Sequence, residues 1–200
     1  MFTKTQKQIE AVRLLTAEPK YTLLFGGSRS GKSFIIIRQI ILRALKEAGS
    51  RHLVVRFAFN HAKRSLWHDT IPKVLALCFP GVKPALNKSD WFLEFPNGSQ
   101  IWLGGLDDKD RTEKVLGNEY ATIFVNESSQ ISYPSYSTLL TRLAQNTGLV
   151  NRVFLDCNPP STAHWTYKLF VQHLNHQIHV YMLQCISIHI PQLVCCQFLI

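Results

Sequence analysis

The sequence predicts an α/β fold, a mostly parallel central sheet flanked by helices, and three observations carry that prediction. A glycine-rich loop joins an apolar, strand-like run (Tyr21, Thr22, Leu23, Leu24, Phe25) to a helix-like run over 34–48, the strand–loop–helix context that a phosphate-binding loop requires. Two further buried-strand runs, 121–125 and 152–156, each end where a polar, chemically loaded segment begins, as at the carboxyl edge of an open α/β sheet, where ligands sit. The third observation is composition. With 200 residues, 46% hydrophobic and 18% charged, the chain suits one domain with a sizeable core, or slightly more, and is not disordered.

The loop reads Gly26, Gly27, Ser28, Arg29, Ser30, Gly31, Lys32, Ser33, which fills every position of the Gly-x4-Gly-Lys-Ser/Thr pattern. Glycines let the backbone curl so that its N–H groups converge on phosphates at the positive end of the following helix. Lys32 reaches the β- and γ-phosphates in such a loop, and the Ser33 hydroxyl ligates Mg²⁺. A bare helix-capping turn would need none of these side chains. Arg29 can fold over the phosphates and stabilise charge on the transferred oxygens. Upstream, Phe2 and the pair Gln6 and Gln8 precede the loop at the distance of an adenine-reading glutamine.

A second strand is expected over 53–57, followed by a helix from Asn60, a good N-cap, to Cys78. Runs 91–95 and 99–103 flank Pro96, Asn97 and Gly98, a hairpin signal. After the 121–125 strand stand Asn126 and Glu127. An acid at the first of these positions ordinarily steadies the Mg²⁺ shell; the Asn126 carbonyl accepts from a metal-bound water but brings no charge. Glu127 keeps the carboxylate that general-base activation of water needs. After the 152–156 strand, Asp156, Cys157, Asn158, Pro159 and Pro160 follow. The prolines force an extended exit that holds Asn158 at the sheet edge, where an amide can sense a γ-phosphate.

The balance of 22 Lys+Arg against 13 Asp+Glu gives +9, favouring a polyanionic partner such as nucleic acid, although the excess is spread without an arginine-rich run. The start of the chain lacks a signal-peptide core, which points to the cytoplasm. Five irregular cysteines offer neither a disulfide framework nor a Cys-x2-Cys pair. From Leu169 to Ile200 there is no Lys, Arg, Asp or Glu. The expected division is therefore a domain over 1–170 and an atypical tail over 171–200, a truncated or out-of-frame end. Polar interruptions argue against a membrane span there. His173, His176 and His179 share one helical spacing but lack an accompanying carboxylate.

Taken with residues 106–111, Leu116, Gly117, Ser128, Ser129, Gln130, His164 and Trp165, these motifs resemble a phage terminase large subunit over about 2–170. The resemblance implies an additional-strand P-loop NTPase fold, RecA-like, and an ATP- and Mg²⁺-dependent motor domain. It implies double-stranded DNA, a portal protein and a small terminase subunit as partners, and a homo-oligomeric ring in the bacterial cytoplasm. Lys32, Ser33 and Arg29 then belong to the phosphate loop, Glu127 is the catalytic acid and Asn158 the coupling residue. Arg111, Lys114 and Arg142 are candidates for a basic residue acting across the ring. The nuclease half of such enzymes holds two metals on clustered aspartates, and no acidic residue follows Asp156 here. The competing readings are a helicase-like ATPase, a nucleotide kinase, or an inactive prophage remnant that still binds nucleotide or portal.

Overall fold

Among the residues described by the computed structural model (5–17, 20–172, and 178–183 as backbone with the Val180 side chain), eight strands form one sheet in the order β3-β4-β5-β2-β6-β7-β1-β8. The strands are β1 Tyr21–Gly26, β2 Arg51–Arg56, β3 Ala85–Asn87, β4 Phe92–Glu94, β5 Gln100–Gly105, β6 Thr122–Val125, β7 Arg152–Cys157 and β8 Ile178–Leu183. Pairings β2–β5, β2–β6, β6–β7, β7–β1 and β1–β8 are parallel, while β3–β4–β5 is antiparallel. The expected hairpin is thus β4–β5, added at the sheet edge. Strand β7 lies between the loop strand β1 and the Asn126–Glu127 strand β6, which is the additional strand itself.

The middle residues of the central strands are apolar on both faces because helices cover both, and polar residues such as His52, Thr122, Arg152 and Asp156 fall toward the strand ends. Leu24, Val54, Phe124 and Phe154 point to one face, joining Ile36, Ile40 and Ala44 of α2 (Lys32–Lys46) and Ala11 and Leu15 of α1 (Gln6–Thr16). Their neighbours Leu23, Leu53, Val55, Ile123, Val125, Val153 and Leu155 face the other core, with Val115 of α5 (Lys109–Leu116), Tyr136 and Leu139 of α6 (Tyr133–Leu140), and Phe170.

Two expectations need correction, and one helix lies where none was expected. The N-terminal stretch around Gln6 and Gln8 forms α1, begun by a capping box in which Thr5 Oγ1 accepts from the Gln8 N–H and Gln8 Oε1 from the Thr5 N–H. The helix expected to start at the Asn60 cap begins two residues earlier, as α3 (Phe59–Ala62); its cap position is Ala58, and the distant Asp107 carboxylate accepts from the Phe59 N–H at 3.1 Å. That helix passes through a π-helical segment (Lys63–Thr70) into α4 (Ile71–Cys78), a register change just before Pro72, which has no N–H to donate. The sheet also does not stop at residue 170. β8 pairs with β1 from Tyr21↔Ile178 to Gly26↔Leu183; an uncharged run can be a strand. The side chains of His173, His176 and His179, like Phe2, fall outside the described residues. Among the described residues no helix is long and apolar enough to cross a membrane.

At the amino-terminal edge of the sheet a buried polar clamp ties α2 to β2, β6 and the segment before β7. Arg43 Nε donates to Thr122 Oγ1 at 2.8 Å, and its Nη2 donates to the carbonyls of Val150 at 2.6 Å and Ala121 at 3.2 Å. His52, fully buried, spans Ser50 Oγ at 2.9 Å and Thr122 Oγ1 at 2.8 Å. Burial, aided by Arg152, lowers the Arg43 guanidinium to about 10; burial, aided by Arg43, lowers His52 to about 3. The clamp sets the position of α2, whose other end carries the phosphate loop.

Candidate nucleotide site

The site lies where parallel strands β1, β7 and β6 end together. Register pairs Leu24 with Asp156 and Val125 with Leu155, so the residues that follow β1 and β6 flank the end of β7. Sheet order, not chain order, brings them together.

The loop closes with Gly31 at φ +84°, ψ +13°, capping α2 without a side-chain hydrogen bond. That left-handed conformation suits glycine, and it leaves the first turn of α2 to offer N–H groups to an anion. Lys32 curls back into the loop. Its Nζ donates to the Gly26 carbonyl at 2.8 Å, the Gly27 carbonyl at 3.0 Å and Ser30 Oγ at 3.3 Å. Arg29, exposed, also takes a left-handed conformation at φ +62°, rare for a residue with a Cβ. Ser28, like Arg29, is exposed.

Asp156, 1% exposed, is the hub of the site. Ser33 Oγ donates to its Oδ2 at 2.5 Å. Asn126 Nδ2 donates to Oδ1 at 2.8 Å and Oδ2 at 3.1 Å, and also reaches Ser33 Oγ at 3.3 Å. The Glu127 N–H donates to Oδ1 at 2.8 Å, and Ser128 Oγ to the Asp156 carbonyl at 3.1 Å. Burial pushes the Asp156 carboxyl up to about 6, against the Ser33 and Glu127 hydrogen bonds that pull it down. Burial likewise pushes the neighbouring, fully buried Cys157 thiol up to about 11. Glu127 itself is half-buried with φ +52°, ψ +52°, a turn that carries the chain from β6 into the short 3-10 helix Ser128–Gln130.

These residues fit a magnesium ion. Ser33 Oγ, the Asp156 carboxylate and Asn126 Oδ1 are all oxygen donors, the type a hard divalent cation takes. Asn126 Oδ1 is, moreover, a buried acceptor with no hydrogen-bond partner. Among the described residues, at this site or elsewhere, no three His, Cys, Asp or Glu cluster as a metal site would need, so the donors here would be a hydroxyl, an amide and one carboxylate.

The structure therefore gathers Gly26, Gly27, Ser30, Gly31, Lys32, Ser33, Asn126 and Glu127 at one edge. Gln8 reaches it too, since a Cβ on Gly31 would come within 2.7 Å of Gln8 Nε2; Gln6 instead donates to Glu10 Oε1 on α1. Asn158 stands exposed just past β7. Its strand end is tied to the Glu127 loop a second time, where Trp165 Nε1 donates to the Ile131 carbonyl at 2.6 Å and the indole stacks on Tyr136. Arg111 lies over the Phe59 ring, Lys114 pairs with Asp90, and Arg142 Nε donates to Thr141 Oγ1. Asp156 is the residue that sequence reasoning passed over. Its signal was an acid closing the apolar run 153–155, which reads as a strand end until the strand's neighbours are known.

The comparisons agree with this architecture. The family model described as phage terminase large subunit matches residues 18–187. The PBSX phage terminase large subunit of Bacillus subtilis is 30% identical over 158 residues, covering 76% of this chain and 34% of that protein. The large terminase of a thermophilic bacteriophage superimposes with a TM-score of 0.78 at 15% identity, over 92% of this chain and 46% of that one, and its complex with ADP with 0.75 over 90% and 45%. The large terminase ATPase domain of Thermus phage P74-26 gives 0.63 at 16% identity, over 92% and 81%. The chain thus spans about a third of the curated relative and about half of the thermophilic phage protein. With the inserted strand β7, the filled phosphate loop and a family match over most of its length, the chain belongs to the phage terminase large subunits.

Proposed function

We propose that this chain is the ATPase domain of a DNA-packaging motor, binding ATP with Mg²⁺ at the sheet's carboxyl edge and hydrolysing it to drive double-stranded DNA into a procapsid. The observation that carries the proposal is the convergence of Lys32 and Ser33 with Asn126, Glu127 and Asp156 around one strand end. The large terminase of the thermophilic bacteriophage, of like fold, has structures with ADP and with ATP-gamma-S, which supports nucleotide as the ligand.

In this reading the loop N–H groups and the α2 terminus hold the phosphates. Lys32 exchanges its loop carbonyls for β- and γ-phosphate oxygens, and Arg29 adds a second cation over the transferred group. Magnesium supplies charge neutralisation on the phosphate oxygens, held through Ser33 and the oxygens beside it. Glu127 accepts a proton from the attacking water. Gln8 contacts the nucleotide from α1. Asn158 senses the γ-phosphate and passes the change on through the segment that Trp165 pins to Ile131. A portal protein, a small terminase subunit and a ring of identical chains in the bacterial cytoplasm complete the proposed motor, and the +9 charge suits its DNA.

The test is phosphate release from ATP by the full chain, with DNA present. Glu127→Gln is expected to lower the rate by about a hundredfold or more while nucleotide affinity stays the same. Equal rates in the two proteins remove Glu127 as base.

A further inference from the structure

We propose that Asp156, on the inserted strand β7, supplies the carboxylate of the divalent-cation shell, and that Asn126 is an asparagine because its role is to hold that carboxylate. The inference rests on the nucleotide-site reading above and names which residue carries its charge.

Three observations lead there. Asp156 is almost wholly buried, yet among the described residues no ammonium or guanidinium lies within salt-bridge distance of it. Its partners are the Ser33 hydroxyl, the Asn126 amide and the Glu127 N–H. A buried carboxylate is costly unless a counter-charge offsets it, and Lys32 of the adjoining phosphate loop spends its three donors on Gly26, Gly27 and Ser30. A divalent ion at Ser33 would be the missing counter-charge.

The second observation concerns position 126. Its amide nitrogen touches both Asp156 oxygens, at 2.8 and 3.1 Å. An aspartate at 126 would set two buried carboxylates against each other at hydrogen-bond distance, and one would have to stay protonated. Only a neutral donor at 126 lets Asp156 keep its charge beside Ser33. The two positions form a matched pair in which the acid has moved one strand toward the loop.

Third, Asn126 Oδ1 is a buried acceptor without a partner on a residue that is 3% exposed. The opposite amide orientation would bring oxygen against the Asp156 carboxylate, so the orphan oxygen belongs to the site's geometry and accepts from a water of the metal shell.

The rival explanation is that Asp156 merely pins the Glu127 N–H and Ser33 in place. Calorimetric titration of the full chain with ADP, in Mg²⁺ and in EDTA, separates the two. Asp156→Asn is expected to bind metal-free ADP within about twofold of the parent protein while losing about tenfold or more of the Mg²⁺-dependent gain in affinity. The exchanged pair, Asn126→Asp with Asp156→Asn, restores most of that gain, because one carboxylate and one amide again face Ser33. Mn²⁺ paramagnetic resonance with ADP reads the same ranking directly, bound in the parent and the exchanged pair, free in the single variant. Asp156→Asn retaining the full Mg²⁺ gain overturns the proposal, as does an exchanged pair no better than the single variant; should the single variant not fold, the exchanged pair alone decides. If the parent protein binds no nucleotide and Lys32→Ala changes nothing, the nucleotide-site reading fails instead.

Discussion

The buried clamp behind the phosphate loop makes a quantitative demand on pH. His52 is fully enclosed by Ser50, Thr122 and Arg43, and its folded pKa falls from an ordinary 6.5 to about 3 because burial and the Arg43 cation oppose a second positive charge. A depressed folded pKa means that the unfolded chain binds the extra proton and the folded chain does not. Stability is therefore complete above pH 6.5 and drains as pH falls toward 3, at up to about 1.4 kcal/mol per pH unit. Between pH 7 and pH 5 the loss from this one residue is about 2 kcal/mol, equivalent to a Tm decrease of about 4–8 °C for a chain of this size. The assay is a set of thermal melts of the parent protein and His52→Gln at pH 7, 6 and 5. Glutamine keeps a donor and an acceptor but does not titrate, so the two Tm-versus-pH lines should diverge by that amount, whatever offset the substitution causes at pH 7. Every other titrating group, the half-buried His164 included, contributes equally to both lines. Parallel lines would refute the claim that His52 is held neutral.

Two further substitutions test the loop and its surroundings. Gly31→Ala places a Cβ at φ +84° and within 2.7 Å of Gln8 Nε2; the strain alone is about 1–2 kcal/mol, and displacing Gln8 loosens the α1 capping box, so melts should show a loss of about 2 kcal/mol. Adding Gln8→Ala should not recover the strain, and a Gly31→Ala protein with the parent Tm would contradict the left-handed cap. Asp107→Ala removes the acceptor for the Phe59 N–H and should cost about 1 kcal/mol in urea unfolding. Asp107→Asn should retain most of it, and an unchanged midpoint in Asp107→Ala would return the cap to Asn60.

What was readable in the sequence followed from local pattern. The loop at 26–33 depends on glycines and a Lys–Ser pair that act within eight residues of chain, and the strands β2, β6 and β7 announce themselves as apolar runs because both faces of the sheet are covered. Less local features escaped. β3, only three residues long, and β8, built from an uncharged run, have no periodic signature. The cap of α3 comes from Asp107, 48 residues away, so Asn60 looked sufficient.

The chain by itself determined that a phosphate loop stands between a buried strand and a helix, because each of its residue types has a local reason to be there. It also placed Glu127 and Asn158 at strand ends. The resemblance implied an additional strand, but only tertiary structure identified it as β7, between β1 and β6, and hence brought Ser33, Asn126 and Asp156 together from positions up to 123 residues apart. Strand order is set by packing across the whole sheet, and a carboxylate's role depends on which neighbours that order brings within hydrogen-bond reach.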